Sequence, residues 1–177
     1  AKKFDETVMH GTAPGSNFDG LAGATAIDLS AGVYDGFVGA LTTIGGAGYD
    51  FNGAVLSAQG EALLYGEKDG NDRPLFVANP ATDGAIGTVL GRGIYKSRAA
   101  YQFGAGGMPS TLGFAGDWSQ AMWGTVEGVQ VKISDQASLN VGSETINLFQ
   151  QNMFAVLAEI EVGFIVGDED AFVEFTA

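Results

Sequence analysis

The 177-residue sequence has no cysteine, one histidine, four prolines and only eight lysines and arginines. Without cysteine there is no disulfide, no thiolate nucleophile and no cysteine-ligated metal. His10 is the sole imidazole, and no Ser-His-Asp set can be built around it. Beside Gly11 it reads as a surface or helix-capping residue. Eight basic residues against 21 acidic ones leave a formal net charge of −13. That is a poor footprint for phosphate, so specific nucleic-acid recognition is not expected. An anionic membrane surface is disfavoured for the same reason. Long hydrophobic runs are also missing. The longest charge-free run, 99–116, reads AAYQFGAGGMPSTLGFAG and carries five glycines and a proline. It is a loop and not a membrane span. Lys2 and Lys3 lead into a polar stretch that does not read as a signal peptide.

Glycine, by contrast, is abundant, with 28 residues and no fixed period. It marks a turn-rich chain of short elements and close backbone contacts. The acidic charge is unevenly placed. After Lys132 no basic residue follows, while Asp135, Glu144, Glu159, Glu161, Asp168, Glu169, Asp170 and Glu174 all do. Such a tail is either a solvated surface or a set of carboxylates awaiting basic groups on another chain. Both tryptophans, Trp118 and Trp123, sit in GDWSQAMWGT. On a strand they point to opposite faces, which predicts core packing for one and an interface or an ordered loop for the other.

Periodicity sketches the elements. Phe4, Val8 and Met9 predict a helix ended by Gly11. Leu29, Val33, Phe37 and Leu41 predict a second helix capped by Asp28 or Ser30. A short strand and a third helix, with Asn52 as its cap, follow over 51–66. GNDRPLFVANP predicts a turn and then an extended piece, and TVLGRGIYKSR a hairpin. Residues 103–111 are expected to be loosely held, since glycine there supplies no anchor. Strand 118–124, a turn at 125–128 and strand 129–134 are expected to pair as a hairpin with Val129, Val131 and Ile133 buried. Met153–Ile165 predicts one long strand, about 40 Å if fully extended. It is expected to pair antiparallel with 171–176 through GDED, leaving Glu159 and Glu161 outside any enclosed pocket.

No catalytic, cofactor or metal set emerges. The glycine-rich GTVLGRG and GAGGMPS complete no phosphate-binding pattern, and GEALLYGEK lacks the spacing of a P-loop. EKDGND and GDEDAF lack the twelve-residue calcium loop and read as turns. Glu159 and Glu161 form a carboxylate pair, but a partner-facing strand explains them better than acid/base work. A small acidic enzyme with an unrecognised site and a tryptophan-bearing carbohydrate-binding β domain are the readings from other classes.

Several stretches, in order, resemble tailed-phage major capsid proteins of the Hong Kong 97 type. They are EKDGNDRPLF, then GTVLGRGIYKS, then Gly116, Asp117, Trp118 and Ser119 followed by Gly128, Val129 and Val131. The last runs from Leu148 and Phe149 through Asn152, Ala155, Ala158, Glu159, Gly163, Phe164, Val166 and Asp168 to Ala171, Phe172 and Val173. Gly93 stands where the family often has proline. The resemblance implies an α+β Hong Kong 97-type capsid fold. Residues 28–145 would form an axial domain, a mixed sheet with flanking helices. Residues 1–27 (the end of a spine helix) and 146–177 (long antiparallel strands) would belong to a peripheral domain. Compared with the family pattern, the chain reads as N-terminally truncated, lacking the arm, the extended loop and most of the spine helix. No crosslinking residue carries over, and the chain alone is not expected to close into shells.

The implied function is structural, not enzymatic. It is a capsid subunit assembling as pentamers and hexamers around packaged DNA, in the virion and in the host cytoplasm during assembly. Other copies of the chain, and portal or scaffold proteins, would be its partners. An encapsulin-like compartment shell is the alternative within the fold. Trp123, Glu159, Glu161, Asp168 and Glu169 are the candidate interface residues.

Overall fold

The computed structural model describes residues 2–11, 15, 18–76, 85–142 and 144–177. In chain order the elements are α1 (Lys2–His10), β1 (Thr25–Asp28), α2 (Val33–Gly46), β2 (Gly53–Leu56), α3 (Ala58–Gly66), β3 (Ala85–Val89), β4 (Arg92–Lys96), β5 (Thr111–Gly116), β6 (Ala121–Thr125), β7 (Gln130–Ser134), β8 (Ser138–Val141), β9 (Glu144–Asn147), β10 (Ala155–Glu159), β11 (Val162–Val166) and β12 (Phe172–Thr176).

A six-stranded mixed sheet has the order β1-β12-β5-β2-β4-β3. β1 and β12 are parallel, as are β2 and β4, and the other pairings are antiparallel. Strand alternation sorts side chains to two faces. Ala54, Leu56, Val173 and Phe175 join the inner residues of α2, Val33, Phe37, Ala40 and Ile44, in one core. Phe114 and Phe172 join Val8, Met9 and Leu21 in the other. All six residues of β5 are buried. Close approach there requires glycine: a Cβ on Gly113 would lie 2.3 Å from the Val55 carbonyl oxygen.

Several expectations hold. α1 ends at Gly11, whose N–H donates to the Thr7 carbonyl. The β3–β4 hairpin forms, with Leu90 and Gly91 at positive φ. The piece expected to be extended after the turn at 70–74 runs into 77–84, outside the described residues. The 103–111 loop is closed at its neck by Gln102 and Thr111, whose backbones exchange hydrogen bonds of 3.2 and 2.9 Å.

Other expectations are corrected. Residues 25–28 form a strand because they add to β12, and the second helix begins only at Val33, after Gly32. Asp28 instead accepts from the N–H and hydroxyl of Ser30 in a local turn, which holds its carboxyl below the usual range. Ser57, not Asn52, caps α3, accepting from the Gly60 N–H at 3.2 Å. His10 is half-buried: its Nε2 lies 2.8 Å from the Ala99 carbonyl and its ring packs on Phe114. Burial pushes its pKa down.

The predicted hairpin does not form. β6 pairs with β11, and β7 with β10. The bend after Thr125 does not reverse the chain, because the Val126 N–H donates to the Glu161 carbonyl. The long terminal strand is interrupted at Ile160 and Glu161. Its second half does not pair with 172–176, because β12 inserts between β1 and β5.

By contacts the chain divides into a unit of residues 1–122 and 164–177 and a unit of residues 123–163. This division does not coincide with boundaries at 27/28 and 145/146.

Gly113→Val should be strongly destabilising, by more than about 3 kcal/mol, since backbone blocks the new side chain. Urea unfolding followed by circular dichroism would measure it.

Candidate subunit interface

The GDWS motif at the end of β5 builds a compact polar knot. Asp117 is buried, and its Oδ1 accepts from Asn52 Nδ2 at 2.8 Å, Ser119 Oγ at 2.6 Å and the Ser119 N–H at 3.1 Å. These bonds, that from the Ser119 hydroxyl foremost, hold its carboxyl below the usual range. Asn52 also accepts from the Trp118 N–H, and Trp118 Nε1 donates to the Gly53 carbonyl at 3.0 Å. The indole meets Phe172 edge-on at 5.4 Å. Trp118 therefore packs, partly buried, against the core, from a 3₁₀ turn and not from a strand.

Trp123 is the opposite case, 71% exposed on β6. Beyond it lies the ribbon of β7 and β10, in the register Ile133 opposite Val156, Lys132 opposite Leu157, Val131 opposite Ala158 and Gln130 opposite Glu159. Directly opposed residues share a face. Val131, Ile133, Val156 and Ala158 therefore make one face, which carries no charge. Lys132, Gln130, Leu157 and Glu159 make the other, where Lys132 Nζ meets Glu159 Oε2 at 2.7 Å. The charge-free face is uncovered: Val131 is 59% exposed, Ile133 71% and Val156 56%. This corrects the burial expected for Val129, Val131 and Ile133. The alternation of the two strands holds, but no layer among the described residues of the 123–163 unit covers this face. Burying such side chains is worth about 1.5–3 kcal/mol each, and a lone two-stranded ribbon is marginal in water.

The predicted site residues separate. Trp123, Glu159 and Glu161 lie in the 123–163 unit, and Asp168 and Glu169 in the other. Glu161 is exposed at the strand break, bordering an open concavity with Glu127 and Glu159. Asp168 is engaged within its own chain: it accepts from the Tyr49 hydroxyl at 2.6 Å and from the Asp170 N–H at 3.0 Å. The tyrosine hydroxyl lowers its pKa, and the same bond raises that of Tyr49. Glu169 is exposed. The ribbon's apolar face was missed as a surface. Its signal is two alternating strands, the first of which holds Lys132, the last cation of the chain. Among the described residues no group of three or more histidines or carboxylates could hold a metal ion. No described helix is long and apolar enough to cross a membrane.

Comparison with known proteins places the chain in a family. The model of the phage capsid family matches residues 1–176. A probable major capsid protein (gp17) of Mycobacterium phage D29 is 33% identical over 99% of this chain and 58% of its own length. Its counterpart in Mycobacterium phage L5 is 35% identical over 81% of this chain and 45% of its own length. The chain thus spans about half the length of these curated relatives. Among solved structures, a chain of Mycobacterium phage Adephagia covers 99% of this chain at a TM-score of 0.74 and 20% identity, over 60% of its own length. A capsid chain of an empty GTA particle, computed with C5 symmetry, covers 99% at a TM-score of 0.69 and 14% identity, over 61% of its own length.

Asp117→Ala should cost about 1–3 kcal/mol by stranding the donors of Asn52 and Ser119. Because the folded pKa of Asp117 is depressed, its contribution is present above the unfolded value and is lost as pH falls through the folded one. The stability gap between wild type and variant should therefore narrow below roughly pH 4. Thermal melts at pH 7 and pH 3 would show it.

Proposed function

The chain belongs to the phage capsid family, and we propose that it serves as the structural subunit of an icosahedral phage or prophage shell. The family is one of virion shell proteins and not of enzymes, and the mixed α+β architecture is that of the Hong Kong 97-type capsid fold. The encapsulin-like, enzymatic and carbohydrate-binding readings are not favoured, since the relatives carry the name of major capsid proteins. The observation within the molecule that supports the proposal is the uncovered, charge-free face of the β7–β10 ribbon. In a chain of net charge −13, self-association needs contact surfaces that bring no carboxylates together.

In this reading copies of the chain gather as pentamers and hexamers around packaged DNA. The shell assembles in the host cytoplasm and ends in the virion, with portal or scaffold proteins as further partners. DNA is enclosed without being read. The sheet-bearing unit takes the axial role and the 123–163 unit the peripheral one, boundaries that replace those at 27/28 and 145/146. The ribbon's apolar face and Trp123 meet neighbouring copies, while Glu159 stays on the opposite face with Lys132 and Glu161 lies at the margin of that contact.

Ile133→Glu tests the proposal. The side chain is exposed, so stability should change by less than about 0.5 kcal/mol. Association, measured by sedimentation velocity, should weaken at least tenfold. Unchanged association would remove the ribbon from the interface. Screening of carboxylate repulsion should make association of the unmodified chain stronger at 0.5 M than at 0.05 M salt. Complexes that dissociate as salt rises would instead point to attraction between opposite charges.

A further inference from the structure

A cavity of about 440 Å³ opens between α1, the β1 edge of the sheet and the glycine-rich 103–111 loop. At its base stands Glu174, half-buried on β12, with the Thr111 hydroxyl donating to its carboxylate. His10 and Gln102 line the wall. Phe103 and Met108 form the rim and are 74% and 73% exposed. The chemistry is that of a receptor for one long cation. The carboxylate has no lysine or arginine partner among the described residues, an aromatic face stands ready for cation–π contact, and apolar walls suit a methylene stem.

The chain's own free cations bear on what fills it. Lys68, Arg73, Lys96 and Lys132 are paired with Asp72, Asp69, Glu61 and Glu159. Lys3, Arg92 and Arg98 are exposed and have no carboxylate partner among the described residues; Lys3 is on α1 and Arg98 is in the turn packed against α1, both on the cavity's own side, whereas Arg92 is at the start of β4. It lies at the far side of the same sheet. Glu174 is on β12, beside the β1 edge, while Arg92 is on β4, opposite Val89 of the β3 edge. Three strand spacings separate β12 from β4, about 14 Å, so Arg92 cannot reach Glu174 of its own chain.

We propose that this cavity is a socket for an arginine side chain, and that Arg92 of a second copy fills it. A cation at one sheet edge and its receptor at the other make a heterologous, head-to-tail contact, the kind that closes into rings. The proposal rests on the shell reading for its partner but not for its chemistry, and the two are tested apart. The first experiment uses N-acetyl-arginine amide as probe, with N-acetyl-glycine amide as control. The single histidine supplies one pair of ring proton resonances. Glu174 and Glu6 both favour its protonated form. Arginine amide in the socket should neutralise Glu174 and lower the His10 titration midpoint; the glycine compound should not. Glu174→Gln should itself lower the midpoint and abolish the response. If arginine amide leaves His10 unmoved in the wild type, there is no socket, whatever the chain assembles into.

The second experiment is a double-mutant cycle on association by sedimentation velocity. Arg92→Gln and Glu174→Gln should each weaken association about tenfold, and together no more than either alone. Additive losses, or an effect of Arg98→Gln in place of Arg92→Gln, would overturn the Arg92 pairing. Circular dichroism melts of the same variants confirm folding. Should Glu174→Gln melt early, Phe103→Ser on the exposed rim tests the socket without touching the sheet and should also blunt the arginine response.

Discussion

One carboxylate decides how this chain leaves its core. β5 is wholly buried and would continue as a strand, but Asp117 stops it. Its N–H donates to the Ala171 carbonyl at 2.9 Å, and its side chain collects Asn52 and Ser119. The start of β2, the end of β5 and the entry to β12 are thereby fixed at one point. The tight turn that results seats Trp118 on Phe172 and releases the chain at Ala121 into β6. An apolar residue at 117 would leave the Asn52 amide and the Ser119 hydroxyl without this acceptor. The knot is polar because a sharp exit from a packed sheet leaves backbone groups that only side chains can satisfy.

That exit separates two regimes of stability. In the sheet-bearing unit, aromatic contacts such as Phe37 with Phe175 at 4.8 Å close a core on one face, while Phe114 and Phe172 close another. In the 123–163 unit most large apolar residues of β6, β7 and β10 remain exposed. Backbone pairing and the Lys132–Glu159 contact hold the ribbon's register, but nothing of its own unit dries the apolar face. A ribbon so built gains its hydrophobic stabilisation only when another surface arrives, so folding and association share one free-energy term.

Local chemistry made much of this legible. The Gly11 stop, the Leu90-Gly91 turn and the strand character of 130–134 and 155–159 follow from glycine conformation and alternation. Pairing was less legible, since alternation says that a face exists and not what lies against it. Ile133 looked like core because most alternating strands have a second layer. Nearness in sequence favours pairing β12 with the strand before it, but Phe172, Val173 and Phe175 are buried between β1 and β5. Asp28 and Asn52 suit helix caps by residue type. Their side chains serve a local turn and a contact 65 residues away, and the second cannot be read from spacing. Of the candidate site, the sequence singled out Trp123, Glu159 and Glu161, all of which are exposed. The bond from Tyr49 that engages Asp168 arises only in the fold.

Charge and apolar surface then fit together in a way neither does alone. A formal charge of −13 keeps copies apart at long range, where repulsion is set by net charge and screened within about 8–10 Å. At contact the decisive quantity is what each patch desolvates. The face of Val131, Ile133, Val156 and Ala158 asks no carboxylate to leave water, so its burial is opposed only by the distant field. Glu159 is spared as well, because it sits on the opposite face with Lys132. Association of this kind is slow and selective at low salt and tightens as ions screen the field. A subunit that must remain dispersed until many copies meet in one geometry is well served by repulsion at a distance and uncharged contact at close range.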